Sequence, residues 1–223
     1  VLSSTYQLRN SIYCYYFGIK TVHLIGDSHV WPYQEVHPFV VHHLGGATAY
    51  NLDNINSKTG SHRLLKILLS SIPQKNSILL FSLGEIDCRL HIYYQYKKNN
   101  HKKSLNTLIA NTVKKYLGVL VSLKNNGWVV SVLSPTPAGD ERNIYKMPYF
   151  ANFKTRAKIT KKFHLLLKEE CKKNNIPYID VYSKIATNYG GIMIKYKQDA
   201  VHLNKNVVPI TTSLLSKSIY NKN

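Results

Sequence analysis

Two short segments, far apart in the chain, carry side chains that could do chemistry together: Gly26-Asp27-Ser28-His29 and Asp199-Ala200-Val201-His202. A serine hydroxyl becomes a nucleophile when an imidazole takes its proton. The imidazole does so best when a carboxylate holds its other nitrogen. Asp199 and His202 are three residues apart, a spacing that points both side chains the same way on a turn. The carboxylate can then accept the Nδ1–H while Nε2 faces outward. Each segment also has a plain structural explanation. Asp27 or Ser28 would cap a helix in any protein, and Asp–His pairs occur on ordinary loops.

Two further segments could complete such a site. In "SLGEIDCR" (82–89) an apolar run stops at Gly84 and gathers Glu85, Asp87 and Arg89. These charges form either a structural ion pair or the lining of a pocket beside Ser28. In "HHLGGATAYNL" (42–52), Gly45-Gly46 leaves a backbone free to turn its N–H groups toward a bound oxygen, unless it is a simple turn.

The elements that must position these residues can be read from apolar patterning. "TVHLIG" (21–26), "SILLFSLG" (77–84), "WVVSVLSP" (128–135) and "IPYIDVYS" (176–183) are short, nearly continuous apolar runs, as strands covered on both faces require. "ATAYNL" (47–52) is a weaker strand candidate. Helical spacing marks 61–72, 104–127 and 151–175, and a last helix over 207–220 with Pro209 in its first turn. His23 alternates into the first strand and reads as a packed residue. The alternation predicts an α/β chain folded as a three-layer α/β/α sandwich with a five-stranded parallel sheet and right-handed crossovers. Residues 1–20 read as an N-terminal extension or linker and 21–223 as one domain. The loop "SPTPAGDERNIYKMPY" (134–149) leaves the carboxyl end of a strand, where open α/β sheets place their ligand sites.

The formal net charge is +19, from 30 Lys+Arg against 11 Asp+Glu. The lysines are scattered along the chain beside asparagines, as coding bias produces. An acidic polysaccharide is the polyanion partner that suits the remaining charge. No zinc-finger, homeodomain or RNP pattern points to nucleic acid. Cys14, Cys88 and Cys171 are too far apart for a CxxC metal or redox motif and fit a reducing, cytoplasmic setting. No apolar run reaches the ~18 residues of a membrane span. No HxxxH or HExxH spacing suggests metal catalysis, and the serine chemistry requires no cofactor.

In order and position these segments resemble the blocks of the SGNH/GDSL hydrolase superfamily. Gly26-Asp27-Ser28 matches the first, Gly46 (or Gly45) the second, Gly84-Glu85-Ile86-Asp87 the third and Asp199-Ala200-Val201-His202 the last. The resemblance spans residues 21 to about 220. It implies a flavodoxin-like sandwich and a Ser28–His202–Asp199 triad, with an oxyanion hole built from the Ser28 and Gly46 backbone N–H groups. It also implies ester hydrolysis, or acyl transfer when a sugar hydroxyl replaces water, with small acyl groups on carbohydrates as one common target. The family's third block supplies an Asn side chain to the hole, and here Ile86 stands in its place. Losing one such donor typically costs ~10²–10³ in rate. Arg89 is the candidate replacement. Asp27, His29, Glu85, Asp87 and Arg89 would line the substrate side, with Tyr33, Tyr145 and Tyr149 as an aromatic wall. Two readings stand beside the esterase: an O-acyltransferase domain of a larger glycan-modifying protein, and a non-catalytic domain that binds glycan or polyanion.

Overall fold

A computed structural model describes residues 20–140, 146 and 148–220. Its centre is a sheet of five parallel strands: β1 (Thr21–Gly26), β2 (Phe39–His43), β3 (Ser77–Ser82), β4 (Val129–Leu133) and β5 (Tyr178–Ile179), in the spatial order β2-β1-β3-β4-β5. The order reverses between β1 and β3, so a crevice opens beyond their carboxyl ends.

Helices cover both faces. The helices α1 (Ser61–Ser71), α3 (Leu105–Asn125) and α4 (Phe153–Lys173) frame one core, where Leu65, Val113, Leu120, Phe163 and Leu167 meet Ile25, Leu79, Phe81 and Val132. The opposite core joins Val22, Leu24, Ile78 and Leu80 to Tyr33, Val207 and the final helix α6 (Val208–Leu215). Alternate residues of β1 feed opposite cores, Ile25 one and Val22 and Leu24 the other, which is why the strand lacks a polar face. Between α1 and α3 lies the short α2 (Ile92–Lys98), preceded by a π-helical turn over Asp87–His91; α5 (Tyr182–Ile185) follows β5. Helix α3 begins with Ser104 accepting the Thr107 N–H, and α4 with Asn152 accepting the Thr155 N–H. Side-chain oxygens there satisfy donors that the helix leaves open.

Two sequence expectations need correction. The second strand is Phe39–His43, not 47–52. Residues 47–52 form a turn whose Ala49 and Tyr50 N–H groups donate to the Asp87 carboxylate instead of to a neighbouring strand. The edge strand β5 keeps only two residues of the predicted 176–183, because Asp180 turns the chain and accepts the Ser183 N–H at the start of α5. Ser28 itself opens a six-residue 3-10 helix, Ser28–Tyr33; Pro32 inside it removes a backbone donor. The predicted N-terminal extension lies outside the described residues apart from Lys20, as does Cys14; Cys88 and Cys171 are buried free thiols.

Candidate active site

β1 ends at Gly26, and this position admits no side chain: a Cβ there would sit 2.2 Å from the Ser82 carbonyl oxygen of β3. The close approach of the two strand ends sets Asp27, Ser28 and His29 over the crevice. Asp27 caps the 3-10 helix, its Oδ1 accepting the His29 N–H at 3.0 Å. The capping explanation therefore holds for Asp27. The Ser28 side chain does something else: its Oγ lies 2.9 Å from His202 Nε2, across 174 residues of sequence.

His202 Nδ1 lies 2.8 Å from Asp199 Oδ2. The other carboxylate oxygen, Oδ1, accepts the N–H groups of Val201 and His202, both at 2.8 Å. Burial works against ionisation of Asp199, but these two N–H groups and the His202 ring overcome it and hold its pKa down at about 2. The loop that carries both residues is braced by the segment that follows β4, where the Asp140 N–H donates to the Ala200 carbonyl at 2.7 Å. Gly139 permits that approach, since a Cβ there would lie 2.2 Å from the same oxygen.

The remaining sequence candidates divide. Asp27 and His29 are buried beneath Ser28, with His29 Nδ1 2.9 Å from Asp27 Oδ1. Glu85 is buried beside them and takes a two-pronged ion pair from Arg89, Nε to Oε1 at 2.6 Å and Nη2 to Oε2 at 3.0 Å. The guanidinium offered as a replacement oxyanion donor thus commits two of its nitrogens to Glu85. Asp87 bonds neither Arg89 nor the Ser28 turn through its carboxylate oxygens. It holds the segment just after Gly46, accepting from Ala49 at 2.7 Å and Tyr50 at 3.1 Å. Burial raises the Asp87 pKa to about 7 against the pull of those two N–H groups, with nearby Asp27 adding to the rise. Gly46 is open, with only Thr59 Cγ2 within 4 Å of where its Cβ would be.

Tyr33 is not part of a substrate wall. It is 1% exposed in the core, its hydroxyl 2.8 Å from Thr211 Oγ1 and its ring against Phe39. Tyr149 is exposed beside Tyr94, and Tyr145 lies outside the described residues. The aromatic that does reach the site is Trp31. Its ring stacks over His202 with centroids 5.9 Å apart and also meets His43 at 5.2 Å, while 47% of it stays exposed. Its placement follows from the 3-10 turn: residues three apart eclipse there, and Trp31 is three past Ser28.

Among the described residues, no group of three or more His, Cys, Asp and Glu side chains could hold a metal ion. No described helix is long and apolar enough to cross a membrane.

Comparison of the fold with solved structures is decisive where sequence comparison is not. A GDSL-like lipase from Bacteroides thetaiotaomicron superposes with a TM-score of 0.60 at 16% identity, covering 92% of this chain and 89% of the other. The chain has the GDSL-hydrolase fold. A lipase/acylhydrolase from Enterococcus faecalis matches at TM-score 0.52 and 18% identity, over 90% of this chain and 95% of that one. An acetyl xylan esterase matches at TM-score 0.54 and 16% identity, over 89% of this chain and 100% of that one. No protein-family model and no curated protein matches the sequence.

Proposed function

We propose that the protein is a serine esterase of the SGNH type that removes or transfers a small acyl group, acetyl foremost, on a carbohydrate. The observation that carries this reading is the continuous chain Ser28 Oγ, His202 Nε2, His202 Nδ1, Asp199 Oδ2, with links of 2.9 and 2.8 Å. Ser28 attacks the ester carbonyl as its proton passes to His202 Nε2. Asp199 holds the tautomer in which Nε2 is free to accept and stabilises the imidazolium that forms. The oxyanion is met by the backbone N–H groups of Ser28 and Gly46. His202 then returns the proton to the leaving alkoxide, and water or a sugar hydroxyl resolves the acyl-enzyme. Glu85, Arg89 and the Asp27–His29 pair form the floor beneath the nucleophile.

The carbohydrate assignment draws on three supports. One neighbour in fold is an acetyl xylan esterase. The half-exposed Trp31 ring beside His202 offers a flat apolar surface to a sugar ring. The basic surface suits an acidic polysaccharide. The sparse cysteines, with Cys88 and Cys171 free among the described residues, support a cytoplasmic setting for this reading.

A second reading draws on Ile86. With no side-chain donor at that position, the same pocket could bind a glycan without turning it over. Hydrolysis of p-nitrophenyl acetate by the wild type and by Ser28→Ala separates the two. The esterase reading expects release that disappears with Ser28; equal rates for both proteins would refute it and favour the binding domain.

A further inference from the structure

His29 directly follows the serine, and the acyl-transfer steps leave it unused. Its ring is 4% exposed. Nε2 lies 3.2 Å from the Val201 carbonyl oxygen. A carbonyl oxygen only accepts, so Nε2 carries a hydrogen. Nδ1 lies 2.9 Å from Asp27 Oδ1, the oxygen that already accepts the His29 backbone N–H. That oxygen faces Nδ1 as an acceptor too, so Nδ1 also carries a hydrogen. A neutral ring with its hydrogen on Nε2 would instead turn a bare lone pair toward a carboxylate.

We propose that His29 is a buried imidazolium and a positioning residue, tying the turn that carries Ser28 to the loop that carries His202. Its effect on turnover rests on the esterase reading; its charge state does not. The charged and titratable groups that face it come from three elements. Its own turn supplies Asp27. The segment after β3 supplies Glu85, whose Oε2 is 3.8 Å from Nε2 and whose carboxylate is oriented by Arg89. The last loop supplies the His202 ring, with centroids 5.2 Å apart. Burial pulls the His29 pKa down, but the Asp27 and Glu85 carboxylates outweigh it, and the result is about 9. Val201 adjoins His202, so the His29–Val201 bond sets how far the base stands from the serine. A displacement of ~1 Å in such a pair can cost ~10² in rate. The ring itself is shielded from substrate, so its removal acts on kcat more than on KM.

Long-range ¹H–¹⁵N correlation on the histidine-labelled wild type tests the charge without any variant having to fold. We expect one histidine to keep both ring nitrogens protonated at about pH 7.5, well above the ordinary ~6.5, and to be missing in His29→Gln. A neutral tautomer for that ring overturns the proposal. Positioning is tested with His29→Leu and His29→Gln. We expect about 10²-fold lower kcat for Leu with KM within about threefold, and partial recovery for Gln, which keeps a donor toward Val201. Unchanged kcat in both overturns the positioning role. Equal ester turnover by wild type and Ser28→Ala would instead refute the esterase reading alone. The low-field Nδ1–H proton of His202 then decides: its loss in His29→Leu supports positioning, and its retention overturns it.

Discussion

Two buried histidines lie six residues apart, His23 within β1 and His29 just beyond its end. Among the described residues, His23 meets no carboxylate. Its Nδ1 lies 2.9 Å from His42 Nε2, the rings stack, and its Nε2 faces the Ser77 hydroxyl at 3.3 Å. Burial holds the His23 pKa down at about 4; burial and the neighbouring His23 ring hold His42 at about 3. His29 is more deeply enclosed, yet the Asp27 and Glu85 carboxylates keep it charged, with its pKa at about 9. Enclosure alone therefore does not set the state of a buried imidazole; the counter-charges within reach do. The middle of β1 holds a neutral pair joined ring to ring, and the carboxyl edge holds a charged ring that ties the Ser28 turn to the loop of His202.

The largest effect that can sharpen this contrast is on turnover. His202→Ala should lower Ser28-dependent ester hydrolysis by ~10⁴-fold or more, whereas His23→Phe should leave kcat/KM within about threefold. Steady-state kinetics on a chromogenic acetate ester compares them. A large loss in His23→Phe would break the division between edge and mid-sheet.

Next is stability. Asp27→Asn removes the counter-charge and leaves the His29 ring buried with a poorer partner. We expect a loss of about 3 kcal/mol in urea unfolding, the scale for breaking a buried ion pair. A loss below about 1 kcal/mol would contradict the ionic pairing.

The smallest effects are the two pH limbs, and they carry opposite signs. His29 has its folded pKa raised above the unfolded ~6.5. Its contribution is fully present below ~6.5 and is lost as pH rises through about 9. His23 and His42 have theirs depressed, so their contribution is present above ~6.5 and is lost as pH falls toward about 4 and 3. Urea midpoints across pH should show the alkaline limb reduced only in His29→Gln and the acid limb reduced only when His23 and His42 are both replaced by Phe. Identical profiles in both variants would show that the two regions do not differ.

Much of the fold was legible because four strands lie in nearly continuous apolar runs and three helices keep clean apolar stripes. β2 was not legible: "FVVHH" is five residues long and ends in two histidines, the half-buried His42, which bonds the His23 ring, and the exposed His43. Residues 47–52 look like a strand by composition, but Asp87 takes their N–H groups, a contact 37–38 residues away that no local pattern reveals. At the site, Ser28, Asp199 and His202 stood out because their residue types and order are distinctive. Tyr33 misled because a 3-10 turn, unlike an α-helix, sends it into the sheet. The Glu85–Arg89 pair follows i,i+4 spacing and becomes predictable once the segment after Gly84 is known to be helical. The reach of His29 to Val201 spans 172 residues and emerges only with the fold.

The most direct measurement of the central claim is covalent capture of the nucleophile. The wild type would be treated with a fluorophosphonate and its peptides examined by mass spectrometry. The account predicts a single adduct on Ser28, slowed strongly in His202→Ala and absent in Ser28→Ala. A Ser28 that stays unmodified while the reagent labels other hydroxyls, or labelling at the same rate without His202, would contradict it.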